Sequence, residues 1–408
     1  MAMERTTCCV VGGGPAGMML GLLLARAGVD VTVLEKHGDF LRDFRGDTVH
    51  ASTLRLLDEL GLAEKFAKVP HRLLTQLGLP VGPTSTALID MSRLPGPHKH
   101  IAMVPQWDFL DMVADAAAAE PTFRLRMNTE ATGLTTKDGR VTGITYRTKD
   151  GETGEIQADL TVACDGRRSI LRSALGLGIR SWRVPMDCWW LRVPRHEGDP
   201  VGIGGMIGEG RMVVYIDRGD YFQLAFLIEK GSDARWREAG LQSFRDSLAG
   251  VLPWLADRVD EIKSLDDAKL LDVKLDRLTK WYSDGLLCIG DAAHAMSPVG
   301  GVGINLAVQD AVATARILAA PLRRGTVTTA DLAKVQRRRG PATTITQGMQ
   351  RLMHDNAVGP ALSGRIDLSK RTPLALRLLN RFPKLGLIPA YLVAIGFRPE
   401  HAPDFARR

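Results

Sequence analysis

The sequence predicts an α/β fold: a buried parallel sheet, an antiparallel sheet inserted into it, and a helical C-terminal segment. Three observations carry this. The chain opens T-C-C-V-V-G-G-G-P-A-G and continues to V-D-V-T-V-L-E, two apolar strands joined by a glycine turn and a helix. Strands apolar on both faces belong to a parallel sheet covered on each side. Between residues 184 and 228 the pattern changes to short alternating strands with glycine-rich turns, including C-W-W-L-R-V, R-M-V-V-Y-I-D and Y-F-Q-L-A-F-L-I, which reads as an antiparallel sheet. After it the chain returns to an apolar strand, L-L-C-I-G, and a second glycine-rich turn before a helix. At 408 residues the length supports about two domains.

Taken in order, residues 7–11, 15–27 and 31–34 form a βαβ unit. The next helix, about 47–60, carries Leu54, Leu56, Leu57 and Leu60 as its apolar face and stops at Gly61. Residues 70–100, rich in Pro and Gly, read as an irregular excursion with short strands. A helix at 106–118 leads to strands near 123–127, 132–136, 141–147 and 154–162. Then come A-C-D-G-R-R-S-I-L-R and a further helix. Helical segments between 236 and 265 connect the inserted sheet to the strand at 285–289. The expected domains are 1–70, 101–178 and 268–350 for the parallel-sheet unit and 71–100 and 179–267 for the inserted sheet. Residues 351–408 form the C-terminal helical segment.

Hydrophobic content of 45% and charged content of 24% are ordinary for a globular chain. No run approaches the ~18 apolar residues that a membrane span requires, and a cytoplasmic protein, monomer or homodimer, is expected. Five cysteines are scattered without metal-ligand or redox spacing, so they read as reduced, mostly buried thiols and no metal is expected. The net charge of +7 is uneven: from Pro321 to Arg408 there are 16 Lys/Arg against 5 Asp/Glu, leaving −4 for residues 1–320. No aromatic-interleaved basic pattern points to nucleic acid. The apolar stretch at 385–397, flanked by Arg381, Lys384 and Arg398, allows a weak peripheral membrane contact. Pro383 and Pro389 break any long interfacial helix there, which favours packing on the parallel-sheet unit.

Gly12, Gly14 and Gly17 make G-x-G-x-x-G at a strand-to-helix junction, with Pro15 and Ala16 in the helix's first turn. The first glycine permits the turn, the second admits a pyrophosphate, and the third lets helix and strand pack. Glu35, followed by Lys36, is placed to accept hydrogen bonds from an adenosine ribose and disfavours a 2′-phosphate. A second motif, Asp165-Gly166, puts a carboxylate at a strand end beside a helix start. The third, Gly290-Asp291 with Pro298-Val299-Gly300-Gly301-Val302-Gly303 and then Ile304-Asn305, places an acceptor for a polyol before a helix aimed at a flat ligand. A helix N-terminus there stabilises an anion such as a reduced flavin. Together the motifs narrow the cofactor to FAD.

The three motifs, in this order and spacing over about residues 6–320, resemble the class A flavoprotein aromatic hydroxylases typified by para-hydroxybenzoate hydroxylase. The resemblance implies a Rossmann-like FAD-binding domain with an inserted β-sheet substrate domain and helical C-terminal segment. It assigns Asp165 and Gly166 to FAD and the reducing nucleotide, and Gly290 and Asp291 to the ribityl chain. Arg45, in F-R-G-D-T-V-H, matches a flavin-contacting arginine, and Gln106 a polar FAD contact. Expected cofactor contacts also include Gly12, Gly14, Pro15, Ala16, Gly17, Glu35, Lys36, Pro298, Gly301, Gly303, Ile304 and Asn305. The implied reaction uses NADPH or NADH as a transient donor and O2, through a flavin C4a-hydroperoxide, to hydroxylate an aromatic or polycyclic small molecule.

Pro298, Arg45 and His50 are the expected catalytic residues, His50 as a base for a phenolic proton; Asp47 is either such a base or a helix cap. His294 reads as a structural hydrogen-bonder. Trp190, Arg192, Met206, Tyr215 and Phe222 are expected to line the substrate site, although strand alternation turns about half of such residues elsewhere. Three lookalikes are set aside. Phe44-x-Gly46-x-x-x-His50 starts like a Baeyer–Villiger signature but has Leu54 at its final aromatic position. G-I-G-G-M-I-G at 202–208 has the wrong spacing, and W-W-L-R-V-P has Leu191 where a halogenase motif has its second Trp. The alternatives are an FAD-dependent reductase or desaturase of an isoprenoid or lipid-like substrate, and a flavin-binding regulator without turnover.

Overall fold

A computed structural model of the chain describes residues 4–41, 48–81, 84–208, 210–365 and 386–408. Its larger sheet runs, in spatial order, Tyr282–Ser283, Leu286–Cys288, Thr153–Ala163, Glu4–Val11, Val31–Leu34 and Phe123–Arg126. All neighbouring pairs but the first are parallel. Strand Thr153–Ala163 shares one edge between two partners. Its N-terminal half pairs antiparallel with Arg140–Thr148, which pairs in turn with Thr129–Lys137, and its C-terminal end pairs with Leu286–Cys288. Gly285 makes the changeover possible, because a Cβ there would stand 2.0 Å from the Val141 carbonyl oxygen at φ +75°.

The register sets the site. Val11 is level with Leu34 on one side and Ala163 on the other, and Ala163 is level with Cys288. The residues following these four strand ends, Gly12, Glu35, Cys164-Asp165 and Ile289-Gly290, therefore emerge together at one edge. Helices Pro15–Arg26, Gln106–Ala118 and Gly303–Arg323 pack against this sheet, and the first packs against each of the other two. The helical stretch Val299–Arg323 is long and apolar enough to cross a membrane, and here it is core, with 83% of its most apolar window buried. Its apolar character thus reflects protein on all sides.

The second sheet is antiparallel, in the order Ile203–Gly208, Arg211–Asp217, Tyr221–Glu229, Met186–Pro194 and Lys269–Leu271. Trp189, Leu191, Val193, Val213, Phe222, Leu224 and Phe226 form one face and pack under Phe244, Leu248 and Val251 of helix Asp233–Val251. Cys188, Met212, Ala225 and Leu227, with Trp190 and Val214 partly buried, form the other face and meet Met296, Val302 and Leu306. A small sheet of Thr48–Val49, Ile101–Met103 and Arg72–Leu74 bridges the two bodies. Helix Leu387–Ala394 presses Ala390, Val393 and Ala394 onto Ala51, Met91, Leu94 and Ile101, leaving Ile388 and Tyr391 exposed. It thus packs on residues of both expected units, Ala51 and Ile101 of the parallel-sheet unit and Met91 and Leu94 of the inserted one, where packing on the parallel-sheet unit alone is expected.

Candidate FAD site

The three glycines of the first motif do different physical work. A Cβ on Gly12 would lie 2.4 Å from the Cys164 carbonyl oxygen, at φ +107°, and one on Gly17 would lie 1.9 Å from the Gly12 carbonyl oxygen. These two glycines close strand, loop and helix on one another. Gly14 meets nothing within 4 Å, so the loop surface beside it is open. It is also the N-cap of helix Pro15–Arg26, which no side chain caps. Pro15 at the first helical position removes an N–H that would have no helical partner, while Ala16 and Gly17 follow it in the first turn. Glu35, just past the second strand and buried, is oriented by the loop itself. Its Oε2 accepts from the Gly13 N–H at 3.0 Å and its Oε1 from the His37 N–H at 3.1 Å. Lys36 is exposed.

The other motifs arrive at the same edge. Asp165 Oδ2 accepts from the Ile170 N–H at 3.0 Å, while Oδ1 is buried without a hydrogen-bond partner; burial pushes its carboxyl up. Gly166, at φ +81°, faces open space. Gly290 stands where two helices cross: a Cβ there would press on the Ala16 and Ala307 methyls at 3.2 and 3.4 Å. Asp291 is paired with Arg167 at 3.3 Å and keeps 31% of its side chain exposed. Beyond it, Pro298 leads into Gly300 and Gly301, both at positive φ, and helix Gly303–Arg323 starts without a side-chain cap. Gly303 meets nothing within 4 Å, Ile304 is buried behind it, and Gln106 stands half-buried at the start of its own helix.

Several expected ligands serve the turn rather than the space in front of it. Gly301's carbonyl accepts from Thr48 Oγ1 at 2.7 Å and also faces His50 Nε2 at 3.0 Å. His50 Nδ1 lies 2.6 Å from the Val393 carbonyl, and the ring is fully buried. Burial lowers its pKa, against the two carbonyls that raise it. The neutral ring donates from one nitrogen to one of these carbonyls, and with both nitrogens against backbone carbonyls His50 ties the turn to the C-terminal helix. Asn305 Oδ1 accepts from Ser52 and Thr53 hydroxyls at 2.9 and 2.6 Å, tying two helices together. His294 pairs at 2.6 Å with Asp310, the structural role its position suggests. Arg45 and Asp47 lie outside the described residues.

Alternation sorts the expected substrate residues. Phe222 is fully buried in the helix-side core, and Tyr215 packs there edge-to-face on Phe222 and Trp254. Met206, opposite Val213, belongs to that same face and is 37% exposed. These three point away from the third motif, because their strand parity is that of Trp189. Trp190 has the opposite parity and packs with Leu74, Met103 and Ile216. Arg192 shares its face, further along the strand, exposed and over the Tyr221 ring at 4.8 Å. The pair Trp189-Trp190 was legible in the sequence, but which Trp faces inward was not.

Sequence reasoning missed Ser297, Gln350 and His354, which hold the Pro298 turn from behind. The signal available was faint: Gln347, Gln350 and His354 recur at helical spacing as one polar stripe.

Two uncapped helix starts, open space beside Gly14, Gly166 and Gly303, and carboxylates at Glu35, Asp165 and Asp291 surround one edge of the parallel sheet. That geometry fits an extended, anionic dinucleotide with its phosphates at the first helix and a ring system at the second. The family model described as FAD binding domain matches residues 5–347. The 6-methylpretetramide 4-monooxygenase of Streptomyces rimosus is 33% identical over 93% of this chain and 90% of its own length. The rifampicin monooxygenase of Streptomyces venezuelae is 26% identical over 74% of this chain, which spans 61% of that protein. In fold, p-nitrophenol 4-monooxygenase PnpA from Pseudomonas putida is similar, with a TM-score of 0.74 at 19% identity, covering 97% of this chain and all of that one. The chain therefore belongs to the FAD-binding-domain family, as a para-hydroxybenzoate-hydroxylase-like, FAD-dependent monooxygenase.

Proposed function

We propose that this monooxygenase hydroxylates an electron-rich aromatic or polycyclic small molecule, with NADH or NADPH as donor and O2 as oxidant. The observation that supports this reading most is the apolar face of the inserted sheet. Trp190, Val214 and Ala225 line it opposite the Val299–Val302 turn, with Leu74, Met103 and Ile216 at its side. A flat, apolar substrate would be held at the partly buried margin of this face, beside Trp190, Val214 and Val299, because the rest of the face packs directly against the turn.

Bound FAD would supply the two-electron chemistry that links the nicotinamide donor to O2. The protein's part is positioning and electrostatics. Gly14, Pro15 and the amides after them would face the phosphates, and Glu35 the adenosine ribose. Asp165 and Asp291 offer acceptor oxygens to hydroxyl donors of the cofactor's polyol. The start of helix Gly303–Arg323 directs N–H groups and the positive end of its dipole toward charge that builds on the ring. Pro298 and Gly301 give that turn its shape, and His50 holds it in place from behind.

The test is turnover of the purified FAD-loaded protein with NADH or NADPH under ¹⁸O2, using 6-methylpretetramide as first probe beside simple phenols. The expected outcome is probe-stimulated oxidation of the donor and one labelled oxygen in the product. Saturation of an alkene with no label in any product overturns the reading in favour of a reductase.

A further inference from the structure

The backbone around Pro298 is held by a part of the chain outside the three motifs. Gln350, fully buried on helix Thr329–Met353, makes three hydrogen bonds to it. Its Oε1 accepts from the Ser297 N–H at 3.2 Å, and its Nε2 donates to the carbonyls of Ser297 and Val299 at 2.8 and 2.9 Å. The Ser297 hydroxyl accepts from the Val299 N–H at 3.3 Å and lies 2.8 Å from His354 Nε2. Pro298 is thus gripped on both flanks. One turn earlier, Gln347 Nε2 donates to the Asp276 and Ala295 carbonyls, so one polar stripe reads the backbone from Ala295 to Val299.

Such a grip has a reason. Pro298 brings no N–H, and Gly300 and Gly301 are the residues with the most conformational freedom to lose. Left to itself, the turn would not place the start of helix Gly303–Arg323 reproducibly. His354, 1% exposed, also begins a π-helical turn, His354–Val358. A widened turn of that kind inside a helix shifts the side chains on either side of it in register, and here it lies where Gln350 and His354 reach one segment.

We propose that Gln350 and His354 are positioning residues that set how strongly the reduced cofactor is stabilised. They fix the Ser297–Val299 backbone, and through it the amides at the start of helix Gly303–Arg323. The proposal rests on FAD lying before that turn, as in the reading above. Electrostatic stabilisation of this kind depends on donors held in place before charge develops.

The measurement is the midpoint potential and visible spectrum of FAD bound to the holoenzyme, with Tm alongside, in four variants. In Gln350→Leu and His354→Leu, the preference for reduced over oxidised FAD should fall about tenfold, a drop of ~30 mV for a two-electron couple. His354→Gln, whose amide can reach Ser297, should stay near the wild-type potential. Unchanged potentials in both leucine variants overturn the proposal. So does a His354→Gln variant that shifts as far as His354→Leu with an equal loss of Tm, the mark of packing alone. Should the leucine variants fail to hold FAD, Ser297→Ala decides: a smaller fall in the same direction supports the brace, and an unchanged potential overturns it. A wild-type enzyme that binds FAD but never incorporates labelled oxygen defeats the monooxygenase reading, and the potentials still judge the brace.

Discussion

Single residues separate the parts of the glycine loop that close on protein from the part that faces open space. Gly12→Ala places a methyl on the Cys164 carbonyl at a positive φ and should cost at least ~2 kcal/mol of stability, seen as a lower Tm of the FAD-free protein. Gly14 has an ordinary φ of −73° and open space before it. Gly14→Ala should therefore leave the apo protein within about 1 kcal/mol while weakening FAD binding roughly tenfold or more, measured by fluorescence titration. Equal losses of Tm in both variants would contradict this division. The pattern G-x-G-x-x-G marked all three positions in the sequence. Which glycine meets protein and which faces open space depends on the approach of Cys164, 152 residues further along the chain.

At the scale of elements, strand parity decides which residues of the inserted sheet face the helix-side core and which face the third motif. Trp189 is fully buried, donates from Nε1 to Asp233 Oδ1 at 2.7 Å and packs edge-to-face on Phe244. Trp189→Ala should cost about 3–5 kcal/mol, visible in urea unfolding. Trp190→Ala, on the other face, should cost less stability and instead raise KM for the aromatic substrate. The reverse pattern would place the site on the wrong side of the sheet. The existence of these strands was legible from alternation alone, since aromatic and β-branched residues at period two suit a pleated, half-buried surface and little else. Their facing was not, because two adjacent tryptophans satisfy either register. One helix was read closely: the predicted span 106–118 coincides with helix Gln106–Ala118, whose apolar stripe has only one way to face a core, whereas the helix expected at 47–60 begins at Ala51, after strand Thr48–Val49.

At the scale of the whole molecule, a buried charge network joins the third motif to the C-terminal residues. Asp310, fully buried, receives Gly290's N–H at 3.1 Å and pairs with His294 at 2.6 Å and Arg339 at 3.0 Å. Arg339 in turn lies 3.8 Å from Glu400, which Arg338 holds at 2.7 Å. Burial alone would raise the Asp310 carboxyl, but His294 and Arg339 outweigh it and hold its pKa below the ordinary value. A depressed carboxylate stabilises the fold above its unfolded pKa, near 4. That stability is lost as pH falls through the lower folded value. Asp310→Asn should cost about 3–5 kcal/mol at neutral pH by taking from buried Arg339 its nearer carboxylate partner, and should flatten the fall in Tm between pH 5 and pH 3. A variant with the wild-type acid dependence would show that the network does not couple to folding.

The amino-acid sequence by itself determined the parallel sheet and the inserted antiparallel sheet, each written in local periodicity, and it carried the three glycine-containing motifs in their short spacings. The reaction class followed from the resemblance of those motifs, in their order, to the aromatic hydroxylases. Only the tertiary structure decided which face of the inserted sheet meets the third motif, that His50 serves as a clamp, and that Gln350 and His354 grip the turn at Pro298. Those assignments depend on pairs of residues tens to hundreds of positions apart, brought together by sheet register and helix packing. No local pattern carries that information.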